Sequence, residues 1–194
     1  AQHAGWRILA PSNAFDYVGL FNTAIRLTDP VLIIEHGKLY GDPFYVPADT
    51  LDYHVAYGKA RVVREGDRLT VLTYLTGVKD CQSAAEELEQ EGRGIEIIDL
   101  RTLDYMGMDY ETIGRSVKKT GGVLIVEQAP RSLGISARLS DEIQERFYDY
   151  LDTPVGKLTA PDVPAPVSKV LESAMWPTNS EIQEKMLLGC RHHF

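Results

Sequence analysis

A chain of 194 residues that is 44% hydrophobic and 25% charged can build one domain, or one domain with a piece of a second, and lacks the bias of a disordered or fibrous chain. Its formal net charge of −8 excludes a nucleic-acid role driven by phosphate neutralisation. Its longest apolar runs, Val31 to Ile34 and Val123 to Val126, fall far short of the ~20 residues a membrane helix needs.

In chain order, Arg7 to Ala10 is a short apolar strand, and Pro11-Ser12 ends it with Ser12 placed as the N-cap of the next helix. Ala14, Val18, Phe21 and Ile25 recur at helical spacing up to Thr28-Asp29-Pro30, where proline stops the pattern. Val31 to Ile34 follows as a continuous buried-strand run. Periodicity then disappears from Gly41 to Gly58, where Phe44, Tyr45, Tyr53, His54 and Tyr57 crowd a polar stretch that reads as a boundary lying against something.

Beyond it, Arg61 to Arg64 and Leu69 to Tyr74 are strands close enough for an antiparallel pair across Glu65-Gly66-Asp67. A helix carries Val78, Cys81, Ala85 and Leu88 on one stripe and ends at Gly92. Gly94 to Leu100 is a strand, Asp109 opens a helix through Ile113 and Val117, and Gly121-Gly122 stops it. Val123 to Val126 has the composition of a strand buried on both faces. Ile135, Leu139, Ile143 and Phe147 mark another helix, Val155 to Thr159 a last strand, and Val167 to Met175 and Glu181 to Leu188 two closing helices. The alternation predicts an α/β fold of three αβα layers around a mostly parallel five-stranded sheet with one antiparallel edge strand.

The residues that could carry chemistry are few. Of His3, His36, His54, His192 and His193 none has zinc spacing; His36 closes a strand, where α/β sites lie, and His192-His193 reads as a solvated tail. No Gly-rich nucleotide loop, Walker lysine or nucleophile elbow occurs. Glu127 follows the Val123 to Val126 strand, at a carboxyl edge where ligands bind or where a carboxylate serves as a cap or ion-pair partner at the strand end. Glu86, Glu87, Glu89 and Glu91, and later Asp141, Glu142 and Glu145, read as solvated faces or as a docking surface for a basic partner. Cys81 and Cys190 form neither a metal cluster nor a disulfide framework, which points to a reducing, cytoplasmic compartment. A start at Ala-Gln-His, with no methionine or signal segment, is expected of a processed or fragmentary product.

An ordered set of residues carries a resemblance: Pro30-Val31-Leu32-Ile33-Ile34-Glu35-His36 with Leu39-Tyr40, Gly58-Lys59-Ala60, Ile98 to Leu103, Glu111-Thr112-Ile113, Ser116 to Gly121, Val126-Glu127, and Tyr150-Leu151-Asp152 before Pro154-Val155. Together they resemble the E1 β subunits of thiamine-diphosphate-dependent 2-oxo-acid dehydrogenases of the pyruvate, branched-chain and acetoin type, over about Gly5 to Met186. The resemblance implies that residues 1–42 are the end of a pyrimidine-binding domain, 43–56 a linker and 57–194 a transketolase-type C-terminal domain. It implies an assembly with an E1 α subunit, a second β subunit and the E2 acyltransferase, using thiamine diphosphate and magnesium. In that family the activating glutamate and the active-site histidine lie upstream of His3, so no catalytic or cofactor-binding residue carries over and the chain alone is expected to be inactive.

What the resemblance does carry over is a potassium corner at Ala24, Ile25, Leu27 and Asp29, held largely by main-chain carbonyls. It also implies β-β pairing and an acidic E2-docking surface, with Asp152 and the carboxylate of Phe194 as its candidates. Departures are Leu27 and Asp29, where Asp and Asn are usual, Gln128, and Gly134-Ile135-Ser136 in place of a more glycine-rich turn. Two other readings stand beside it. One is the C-terminal domain of a different thiamine enzyme, such as transketolase, deoxyxylulose-phosphate synthase or 2-oxo-acid ferredoxin oxidoreductase; the other is a stand-alone interaction module.

Overall fold

The computed structural model describes the chain apart from residues 1–4, 44–45, 48, 90–93 and 192–194. The N-terminal part is a small strand-helix-strand unit: β1 (Arg7–Leu9), α1 (Ala14–Ala24) and β2 (Val31–Ile33), with β1 and β2 parallel and Arg7 beside Val31. The cap of α1 is Asn13, not Ser12. Asn13 is extended and its side-chain oxygen accepts the Asp16 N–H at 2.8 Å, which satisfies a first-turn donor; Ser12 instead donates to Asp99 at 2.5 Å. The expected burial of Val31 to Ile34 also fails, since Leu32 is 42% exposed and its neighbours only half-buried. β2 pairs with β1 alone, and no second layer of the described chain covers its outer face.

The segment before the second unit packs as its aromatics imply. The Tyr53 ring stacks on Phe15 at 4.6 Å, and Val55 is buried against α1 beside Leu20. Phe44 and Tyr45 lie outside the described residues.

The second unit holds β3 (Arg61–Arg64), β4 (Leu69–Thr73), α2 (Thr76–Glu89), β5 (Ile95–Asp99), α3 (Tyr110–Thr120), β6 (Val123–Pro130), α4 (Ser136–Phe147), β7 (Gly156–Ala160), α5 (Lys169–Ser173) and α6 (Asn179–Cys190). The strand order is β3-β5-β4-β6-β7, all parallel except β3. The fold class read from the sequence is therefore the observed one. The partner of β3 is not: Arg61–Arg64 pairs antiparallel with β5, Arg61 beside Asp99, and β5 lies between β3 and β4. The turn between β3 and β4 must then pass across the start of β5. A side chain at Gly66 would put its Cβ 2.3 Å from the Ile95 carbonyl carbon, so only glycine fits that crossing.

Strand alternation sorts the core into two layers. Leu69, Val71, Ile95, Ile97, Leu124 and Val126 face α2 and α6, meeting Cys81, Ala85, Leu88, Ile182 and Met186. Leu72, Ile98, Val123 and Ile125 face α3 and α4, meeting Ile113, Val117, Leu139 and Ile143. Two of these helices begin on a side-chain cap of their own. Asp109 caps α3, whose C-cap Gly121 has φ 70°, and Thr178 forms a reciprocal capping box with Glu181 at α6. The expected helix over Val167 to Met175 shrinks to the five residues of α5, with Val167 fully exposed and Val170 77% exposed. Gly92, the expected end of α2, lies outside the described residues. No helix among the described residues is long and apolar enough to cross a membrane.

Candidate functional site

In an open α/β sheet ligands bind beyond the carboxyl ends of the strands, where the connections diverge. Here that point is between β4 and β6, because β5 lies on one side of β4 and β6 on the other. Glu127 stands there, 2% exposed, and accepts from the Tyr74 hydroxyl at 3.0 Å and from the Ile135 and Ser136 N–H groups at 3.0 and 3.1 Å. It caps α4, whose N-cap residue Ile135 offers no side-chain hydrogen bond of its own. Of its two sequence readings, the cap is the one observed. Burial, reinforced by the Glu127 charge, pushes the Tyr74 hydroxyl far above its usual range.

Over β5 the same edge is closed by the chain's own N-terminal unit. Asp99 is fully buried and receives hydrogen bonds from the Ser12 hydroxyl and, at 3.2 Å, the Arg101 N–H. Burial raises its pKa to about 6, against the Ser12 hydrogen bond, which pulls the other way. Arg101 has φ 55°, in the left-handed region, and its guanidinium reaches the fully buried Asp16 at 2.5 Å. That conformation is costly for a residue with a side chain, and it coincides with the point where the two units lock. β1 bridges the following segment: Leu9 pairs antiparallel with Thr102, Ala10 N–H donates to Arg101 O at 2.8 Å, and Leu103 N–H to Ile8 O at 2.9 Å.

A second polar knot continues the seam. Arg7 pairs with Asp29 at 2.6 Å and donates to the Tyr57 hydroxyl at 3.1 Å; Tyr57 in turn donates to Asp104 at 2.6 Å. Burial first, then the Asp104 carboxylate, raises Tyr57 to about 12. None of Ser12, Asp16, Asp99, Arg101 or Asp104 was singled out from the sequence as a site. The one available signal was the run Ile98 to Leu103, where an acid and a base flank a strand end.

The residues that were singled out are dispersed. His36 caps the 3-10 turn Gly37–Leu39, its Nδ1 accepting the Lys38 N–H at 3.2 Å, and lines a cavity of about 400 Å³ with Glu35, Tyr17 and Tyr40. His54 lies 3.7 Å from Asp52. Of the potassium corner, Ala24 O accepts the Leu27 N–H at 3.1 Å, Ile25 is 70% exposed, and the Asp29 carboxylate is engaged by Arg7. A cation there would rely on main-chain oxygens, with Asp29 already paired. Asp152 is exposed, donates its N–H to Gly121 O at 2.8 Å, and its carboxylate occupies the space that a Cβ on Gly121 would need. Phe194, His3, His192, His193 and Glu91 lie outside the described residues. Glu86 is exposed, and Glu87 accepts from Asn179 at 3.0 Å and from Gln183, tying α2 to α6.

Thiamine diphosphate does not fit here, because the Arg101 guanidinium near the strand ends is already paired with the buried Asp16. The carboxylates at the strand ends, Asp99, Asp104 and Glu127, are taken up by hydrogen bonds from the chain itself. Among the described residues no three His, Cys, Asp or Glu side chains come together as a metal centre.

The model of the family "Transketolase, C-terminal domain" matches residues 58–182. The pyruvate dehydrogenase E1 component subunit β of Staphylococcus aureus (strain Mu50 / ATCC 700699) is 37% identical over 185 residues, covering 95% of this chain and 56% of that protein. The Bacillus subtilis (strain 168) subunit of the same name is 39% identical over 184 residues, covering 95% and 55%. The chain thus spans about half the length of the curated relatives it matches. A solved structure titled "Split gene transketolase, inactive beta4 tetramer" superposes with a TM-score of 0.78 at 20% identity, covering 98% of this chain and 59% of that one, which shows a shared fold. With a sheet of this order and a family match over most of its length, the chain belongs to the transketolase C-terminal domain family and is akin to the C-terminal part of pyruvate dehydrogenase E1 β subunits.

Proposed function

We propose that this chain is the C-terminal part of the β subunit of a cytoplasmic 2-oxo-acid dehydrogenase E1, and that it serves assembly. The observation that carries the reading is the 37–39% identity to E1 β subunits across 95% of the chain. In the intact assembly a 2-oxo acid is decarboxylated with thiamine diphosphate and magnesium, and the acyl group passes to lipoyl-E2. This segment pairs with an E1 α subunit and a second β subunit and presents an acidic face to E2, at Asp152 and the C-terminal carboxylate of Phe194. A strand edge sealed by Asp16–Arg101 and Ser12–Asp99 rather than left open to a cofactor supports a scaffolding role. The corner of Ala24, Ile25, Leu27 and Asp29 is the place for a potassium ion in this reading, because the carboxyl end of a helix favours cations.

The test is reconstitution. The purified chain is mixed with an E1 α subunit, thiamine diphosphate, magnesium and pyruvate, and both co-elution and decarboxylation are measured. Co-elution without turnover is expected; turnover by this mixture contradicts the assignment of proton chemistry to other polypeptide.

A further inference from the structure

The cavity of about 400 Å³ between the start of α1 and the 3-10 turn after β2 is not used by the seam described above. Its volume lies within the range of small-molecule sites. Pro11, Ala14, Val18 and Leu39 make its lining largely apolar, beside the polar Asn13 and His36. Tyr17, Tyr40 and the exposed Glu35 share that lining, and the Glu35 carboxylate accepts the Tyr40 hydroxyl at 2.5 Å. Hydrogen bonds from Tyr40 and then Tyr17 hold the Glu35 carboxyl below its usual range, so it is ionised at neutral pH. A carboxylate has about four lone-pair sites, and the Tyr40 hydroxyl donor leaves acceptor capacity over.

The charge of that carboxylate is uncompensated locally. Among the described residues no lysine, arginine or histidine forms an ion pair with Glu35, whereas Asp42, on the same cavity, is paired with Lys79 at 2.8 Å. A largely apolar lining, two aromatic rings and an exposed carboxylate share one complementary ligand class: a cation on an apolar stem, attracted both to the carboxylate and to the rings. Anions and neutral amides lack that match.

We propose that this cavity binds a guanidinium, amidinium or ammonium group carried on an apolar stem, with Glu35 as its counter-ion and Tyr17 and Tyr40 as its walls. Such a group can arrive on a small molecule or at the tip of an arginine or lysine side chain from a partner. The chemistry is the same, and the site does not depend on the assembly role proposed above.

Calorimetric titration of the full chain tests it, with benzamidine and the capped tripeptide acetyl-Gly-Arg-Gly-amide as probes and benzamide and benzoate as uncharged and anionic counterparts. Saturable binding of benzamidine or the tripeptide is expected, with benzamide and benzoate at least about tenfold weaker. Tighter binding of the tripeptide points to a partner's side chain, tighter binding of benzamidine to a free small molecule. Glu35→Gln is expected to lose about tenfold in affinity with an unchanged melting temperature, and Tyr40→Phe a smaller factor. If Glu35→Gln proves unstable, the Tyr40→Phe loss decides. Absence of saturable binding, equal binding of benzoate, or full retention by the folded variants overturns the proposal.

Discussion

Two four-residue apolar runs of the chain, Val123 to Val126 and Val31 to Ile34, look alike in sequence and differ in what surrounds them. The first is at most 2% exposed at every position, flanked by β4 and β7 and covered by helices on both faces. The second pairs with β1 alone and leaves Leu32 42% exposed. The comparison teaches that an apolar run reports what a strand can bury, while burial itself depends on layers contributed from elsewhere. It also shows how the two units stay together. The exposed unit is held by Ile8, Ala10, Ile34 and Leu39 packed into the core of the other and by a polar seam, Asp16–Arg101, Ser12–Asp99 and Arg7–Asp104, along its strand ends.

The sharpest way to break the comparison is at that seam. Arg101→Met strands the Asp16 carboxylate, fully buried without its cation, and is expected to cost about 3–5 kcal/mol in chemical denaturation. A cost below about 1 kcal/mol, the range of exposed pairs, would show that the seam is not closed. Next, Ile125→Ala removes a fully buried side chain and is expected to cost about 2–5 kcal/mol, whereas Leu32→Ala is expected to cost about 1 kcal/mol or less. Equal costs in the same denaturation experiment would mean that β2 is covered as β6 is.

The third prediction concerns pH. Asp99 binds its proton more tightly folded, at about 6, than unfolded, near its ordinary 3.8. Its contribution to stability is therefore fully present below about pH 4 and lost as pH rises through about 6, a swing on the order of 3 kcal/mol. Asp99→Asn keeps an acceptor for Ser12 and removes the titration. The difference in unfolding free energy between the two proteins should therefore move in the variant's favour from pH 4 to pH 7. A difference flat with pH would contradict a buried, protonatable Asp99.

Much of this was legible in the sequence, for reasons that differ by residue. The five strands of the larger sheet and the helices over Cys81, Val117 and Ile143 could be read because their periodicities are local. The partner of Arg61–Arg64 could not: proximity in sequence favours a hairpin with Leu69–Thr73, and only the insertion of β5 between them, a non-local event, overrules it. Glu127 could be placed at a strand end but not assigned, because its three donors come from Tyr74 and from backbone eight and nine residues later. The Asp16–Arg101 pair joins residues 85 apart, a separation over which pattern and propensity carry no information.

The central claim is that this chain supplies assembly surface and leaves cofactor activation to other polypeptide. Calorimetric titration of thiamine diphosphate with magnesium into the chain alone tests it most directly. No saturable heat up to millimolar cofactor is the expected result, and stoichiometric binding would contradict it.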